Sequence, residues 1–201
     1  MDDVTLEDQL YTAAEQNRVD RVKELLRNEA INVNGGYQMG AVTPLHVACA
    51  LGHADVVRVL LGHPGVDVNQ KSSGGSTPFL FAAANGNVEA VVAMLEDQRA
   101  EINQSNLPGA TGIWHAASSG HVDVVKWILA SGRDVNLSVK CMGANVIEKA
   151  RIEAKFDTVE LLERFLANPV EVRAEVRREL GIPGQTNVSI LSTPICPPRE
   201  Q

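Results

Sequence analysis

Aromatic side chains are scarce in this chain: Phe, Trp and Tyr together make up 4% of its 201 residues. A core of that composition has to be aliphatic and small, which suits closely stacked helices better than a sandwich of sheets. Cysteine is as thin. Cys49, Cys141 and Cys196 stand far apart and are odd in number, so neither a disulfide framework nor a zinc cluster is indicated, and a reducing intracellular setting fits. No apolar run approaches the roughly 18 residues of a membrane span, and the opening MDDVTLEDQL lacks the apolar centre of a secretion signal. A soluble protein away from membranes is expected. Concentrated positive charge is missing too: the net charge is −7, and without a basic stripe to meet phosphates, nucleic acid is excluded as a partner. There is no G-x-S-x-G, phosphate loop or H-E-x-x-H, the arrangements that would position a nucleophile, a nucleotide or a zinc ion. An enzyme is therefore the most distant reading, and no catalytic residue, metal or cofactor is assigned.

What the chain does have is a period. Thr43, Thr77 and Thr111 recur at a 34-residue step, and Ala48, Ala82, Ala116 and Ala150 keep the same step. An acid recurs at Asp20, Asp55, Glu89, Asp123 and Asp157. Periods of this length mark repeat architectures, and five units are implied.

Each marker has a physical task. Thr43-Pro44 and Thr77-Pro78 read as an N-cap hydroxyl followed by a proline at the first helical position, where no amide hydrogen is needed. The short helix that starts there runs through small residues such as Val47-Ala48-Cys49-Ala50. It stops at Gly52, with Gly86 and Gly120 equivalent, because glycine takes the left-handed conformation that ends helices. A second helix begins near the recurring acid, whose charge suits a helix N-terminus. Val22/Leu25, Val57/Leu60, Val91/Met94, Val125/Ile128 and Val159/Leu162 give it an apolar stripe that only stacked neighbours can bury. Then come Asn32-Val33-Asn34, Asp67-Val68-Asn69, Glu101-Ile102-Asn103 and Asp134-Val135-Asn136. Each is followed by a stretch rich in turn formers that ends in glycine, read as a projecting turn or hairpin.

With these residues the chain resembles the ankyrin repeat family, whose unit carries a T-P-L-H-x-A signature. Thr43-Pro44-Leu45-His46-Val47-Ala48 matches it completely, while the units at Thr77 and Thr111 match in part and lack the histidine. The resemblance covers about residues 6–166. It implies an all-α solenoid of about five helix-turn-helix units with projecting β-turns or hairpins. The expected units are 6–40, 41–74, 75–108, 109–142 and 143–166, in one domain spanning 1–181, and 182–201 is expected to be a flexible tail. The first unit has polar residues where the signature has glycine and histidine, as a solvent-facing cap should. The fifth puts Glu163 where other units have leucine. A helix over 168–181 with Val172, Val176 and Leu180 on one face is expected to cover the open end of the stack.

The resemblance also implies a use: hairpin tips and first helices form a concave groove that binds another protein, making the chain an adaptor, scaffold or inhibitor. Carried over by position, the tip candidates are Tyr37, Gln38, Met39, Gln70, Lys71, Ser72, Gln104, Ser105, Asn106, Leu107 and Lys140. The helix-borne candidates are Leu51, Asn85 and Ser119. His46 and His53 fall where the family uses histidine for structural hydrogen bonds. Trp127 takes the place of Val59 in an apolar run, so core packing is expected. Trp114 replaces the signature histidine and is expected to be partly exposed. A second functional reading makes the chain a substrate: ankyrin loops are hydroxylated on the asparagine of D-V-N by a 2-oxoglutarate-dependent oxygenase, which points to Asn69 and Asn103. The chain is expected to be a monomer in the cytoplasm, extending to the nucleus.

Overall fold

A computed structural model describes residues 5–37 and 40–183; Gln38, Met39 and the expected tail from 184 onward lie outside the described residues. Among these, eleven helices follow in order, with isolated β-bridges in place of strands. They are α1 Leu6–Glu15, α2 Val19–Leu25, α3 Pro44–Leu51, α4 Ala54–Leu61, α5 Pro78–Ala84, α6 Val88–Glu96, α7 Gly112–Ser119, α8 Val122–Ala130, α9 Val146–Ile152, α10 Phe156–Ala167 and α11 Pro169–Glu179. The odd-numbered helices through α9 pack on one another as an inner layer. The even-numbered ones through α8 form an outer layer beside them. The chain is an all-α solenoid.

Local chemistry sets the helix ends. The Thr43, Thr77 and Thr111 hydroxyls each accept the backbone N–H three residues on, which satisfies a donor the helix cannot. The inner helices end at residues with positive φ, Gly52 at 74° and Gly120 at 79°, where an L side chain is strained. Asp20, Asp55, Glu89, Asp123 and Asp157 all lie in the first turns of outer helices.

Three ladders of hydrogen bonds run along the stack and tie the first four units together. At the inner layer, His53 Nε2 meets the Glu15 carbonyl at 3.0 Å, Asn87 Nδ2 donates to the Cys49 and Ala50 carbonyls, and His121 Nε2 meets that of Ala84. Each caps the carbonyl end of the preceding inner helix, whose last acceptors have no partner within the helix. At the outer layer the same task falls to guanidinium groups: Arg99 donates to the Leu61 carbonyl, and Arg173 and Arg177 to those of Leu129 and Ala130. The third ladder runs through the loops. Asn34, Asn69 and Asn103 each donate Nδ2 to a carbonyl of the next unit. Their Oδ1 atoms accept the backbone N–H of Asp67, Glu101 and Asn136. Nearest-neighbour coupling of this kind is what holds a quasi-one-dimensional stack together.

Two expectations are corrected here. The helix over 168–181 forms as α11 and buries Val172 and Val176, but it packs against α8 and α10 on the outer layer rather than over the end of the stack. Its amphipathic stripe required a surface to cover, and the outer side of the fourth unit supplies it. Trp114 is buried, because its indole N–H donates to the Ala144 carbonyl. His46 makes the corresponding contact to the Ser76 carbonyl at 3.0 Å, so the tryptophan does the histidine's task. Trp127 packs on the core while part of it stays accessible.

Candidate functional site

The inner helices and the hairpin turns share one face, and specific contacts fix how they meet. Tyr37 stacks on Tyr11 of α1 with ring centroids 4.4 Å apart and planes 16° apart. Asn106, in the third turn, lies 3.3 Å from His115 Nε2 of α7. Successive turns are tied along the stack, the Ser73 N–H donating to the Gly40 carbonyl and that of Leu107 to Gly74. Gly75, at φ 75°, sits so close to Leu107 that a Cβ would lie 2.9 Å from its backbone nitrogen. The rim of this face is therefore a row of coupled turns.

Apolar side chains are exposed both at the ends of the inner helices and at the turns. Leu51 at the end of α3 is 50% exposed, Leu107 at the third turn 78%, Met142 at the fourth 83%, and Ile152 at the end of α9 70%. Phe81, half-buried, lies edge-on to His46 between them. Lys71 and Lys140 are exposed, and neither forms an ion pair among the described residues. Burial holds the His115 imidazole below its ordinary value of 6.5, so this face carries it neutral at pH 7. The arrangement offers apolar anchors with two unpaired cations at its edge; no cluster of His, Cys, Asp and Glu able to hold a metal occurs among the described residues.

The residues named from the sequence divide into two groups. Leu51, Lys71, Asn85, Leu107, Ser119 and Lys140 are exposed. The others build the turns. Gln70 donates to the Asn34 carbonyl, Ser72 Oγ accepts the Ser76 N–H, and Gln104 donates to Glu101. Ser105 forms the bridge to Thr111, and Asn106 Oδ1 accepts the Ala110 N–H. Tyr37 is occupied by its stack on Tyr11.

Met142 and Ile152 were missed. The fourth hairpin bridges Cys141 to Ala144 around Met142 and Gly143, both at positive φ, as a two-residue primed turn requires. Its tip is thus displaced from the position a fixed period assigns. An M-G pair just before a helix start was the available signal. Ile152 falls at a position equivalent to Ala50 and Ala84, which a 34-residue comparison would have exposed.

Asn69 and Asn103 hold their amides in the loop ladder described above, with both side-chain ends bonded to the next unit. That role accounts for asparagine at these positions by hydrogen bonding.

Residues 45–95 match a family model for ankyrin repeats in many copies, and residues 109–140 match a model for the ankyrin repeat. Over 60 residues the chain is 47% identical to the ankyrin repeat domain-containing protein 49 of Bos taurus, an alignment covering 30% of this chain and 24% of that protein. The chain thus spans about a quarter of the curated relative it matches.

Proposed function

Because the chain is an ankyrin repeat protein, built from units that generally serve as protein–protein interaction modules, we propose that it works as an adaptor, scaffold or inhibitor. It holds a partner protein in the groove between inner helices and hairpin turns. The observation that carries this reading is the exposure of Leu51 and Ile152 at inner-helix ends and of Leu107 and Met142 at the turns. Large apolar side chains presented on a rigid surface are the anchors on which interfaces depend. A groove already braced by three ladders limits the ordering cost of association. Lys71 and Lys140 would orient partner carboxylates and speed encounter more than they would add affinity. The same reading makes the chain a monomer of the cytoplasm or nucleus, with no chemistry of its own.

The test compares two double variants in a quantitative pull-down from cell lysate, each shown to be folded by circular dichroism. Leu107→Asp/Met142→Asp alters the groove rim, and Leu166→Asp/Val170→Asp alters exposed apolar residues at the α10–α11 junction. A partner retained by wild type and by the junction variant but lost by the rim variant supports the groove. A partner lost only by the junction variant, or kept by both, overturns it.

A further inference from the structure

On the outer layer, two departures from the repeat occur side by side. At the position filled by Arg58, Lys126 and Glu160 in other units, the third unit has Val92. At the position of Val59, Ala93 and Leu161, the fourth has Trp127. A solvated helix face has no use for either change. Both side chains line one groove between α6 and α8, about 230 Å³ in volume, with Leu95, Ala130 and Ile182 and with the polar Glu96, Ser131 and Arg177. A water's share of liquid volume is about 30 Å³, so the space suits one or two aliphatic side chains better than a single solvent molecule.

The chain itself leads into this groove. At the end of α11, Gly181 at φ 66°, the Ile182 N–H donating to the Arg177 carbonyl, and that of Gly181 to Arg178 form a Schellman close. Arg177 also donates to the Pro183 carbonyl. The exit is therefore fixed up to Pro183. From α8 and α10, where α11 packs, the path to Ile182 moves toward α6 and the earlier units. Eighteen residues follow, 184–201, and among them Val188, Ile190 and Leu191 form an apolar cluster. Val188 is five residues past Pro183, a reach of about 17 Å when extended. Neighbouring helices stand about 8–10 Å apart, so the cluster can reach both α6 and α4, where Val59 and Leu61 are partly buried against the core.

We propose that residues 188–191 dock intramolecularly on the outer-helix groove formed by Val92, Leu95, Trp127 and Ile182. Being on the same chain, the segment meets the groove at an effective concentration of millimolar order, so modest apolar contact suffices to populate the docked form. The outer layer is thereby closed by the chain's own sequence, and the inner face is left for other proteins.

The experiment uses the full chain, a Val188→Asp/Ile190→Asp variant that leaves every described residue unchanged, and a chain ending at Pro183. Tryptophan emission is read with acrylamide as quencher; buried Trp114 serves as an internal silent reference. In both altered chains Trp127 emission is expected to red-shift and quenching to rise. Amide exchange in α6 and α8 is expected to quicken about tenfold, equivalent to about 1.4 kcal/mol. Identical emission, quenching and exchange in all three chains would overturn the proposal. Protection of Trp127 that appears only as protein concentration rises, together with a dimer in sedimentation, would also overturn it by making a second copy the occupant.

Discussion

The second, third and fourth units and the fifth share a backbone plan and differ in what they turn toward their far side. In the former, Cys49, Ala83 and Ala117 are fully buried where the next inner helix packs. The equivalent residue of the fifth unit is Arg151, which is exposed and paired with Glu163, itself at the position of Leu95 and Leu129. Lys149 of α9 and Glu153 just past its end form a second pair, 2.5 Å apart. With α11 on the outer layer, no further inner helix packs on the far side of α9 among the described residues, and charge within the last unit covers that side. Stacking, more than the intrinsic merit of any one unit, decides which side chain a position tolerates.

The sharpest way to break the comparison is to move the last unit's chemistry inward. Ala83→Arg places a guanidinium between α5 and its neighbours, at a position fully buried in the stack. Burying an unpaired charge should cost about 4–5 kcal/mol. A thermal melt of the variant within a degree of wild type would refute the assignment of this face to the stack interior.

A smaller effect is expected from the loop ladder. Asn69→Ala removes two hydrogen bonds to the next unit and should cost about 1–3 kcal/mol in denaturant unfolding. Among the described residues, Asn136 makes no bond to a following unit, and its Oδ1 accepts only from Ser138. Asn136→Ala should therefore change stability by less than about 0.5 kcal/mol. Equal costs at the two positions would mean that the ladder does not couple units.

Much of this was legible in the sequence because the period repeats local chemistry: threonine caps, glycine stops and first-turn acids all appear where their spacing puts them. What remained hidden depends on contacts between distant segments. The stripe Val172, Val176 and Leu180 announces a buried face but not the surface that buries it. Tyr11 and Tyr37 are 26 positions apart and in different elements, so nothing local signals their stack. The fourth turn is displaced because its hairpin is shorter, a change that a fixed register conceals.

Among the differences between the second and third units is a buried imidazole. His46 is buried, and its imidazole is held below the ordinary 6.5 by burial; the third unit has Leu80 at the equivalent position. With a folded pKa below the unfolded one, the unfolded state binds the extra proton. Stability is then full above about pH 6.5 and falls as pH drops toward the folded value. His46→Leu should flatten this acid limb by no more than one proton's worth, about 1.4 kcal/mol per pH unit. The remaining slope should come in part from His115, shifted the same way. An unchanged slope between pH 7 and 5 would show that His46 titrates normally.

The smallest effect on stability is expected where the comparison began. Arg151→Ala/Glu163→Leu gives the fifth unit the residues of the middle ones. The pair it removes is solvent-exposed, and exposed pairs contribute about 0–1 kcal/mol, so the melting midpoint should barely move. Association is the informative readout. The altered end would present the small inner position and apolar outer position that in the middle units receive a neighbour, continuous with exposed Ile152 and Phe156. A concentration-dependent dimer in sedimentation, absent from wild type, would show that Arg151 and Glu163 keep the last unit from acting as another interior one. A variant that stays monomeric would mean that the sealing resides elsewhere, in the backbone shape of α9 and α10.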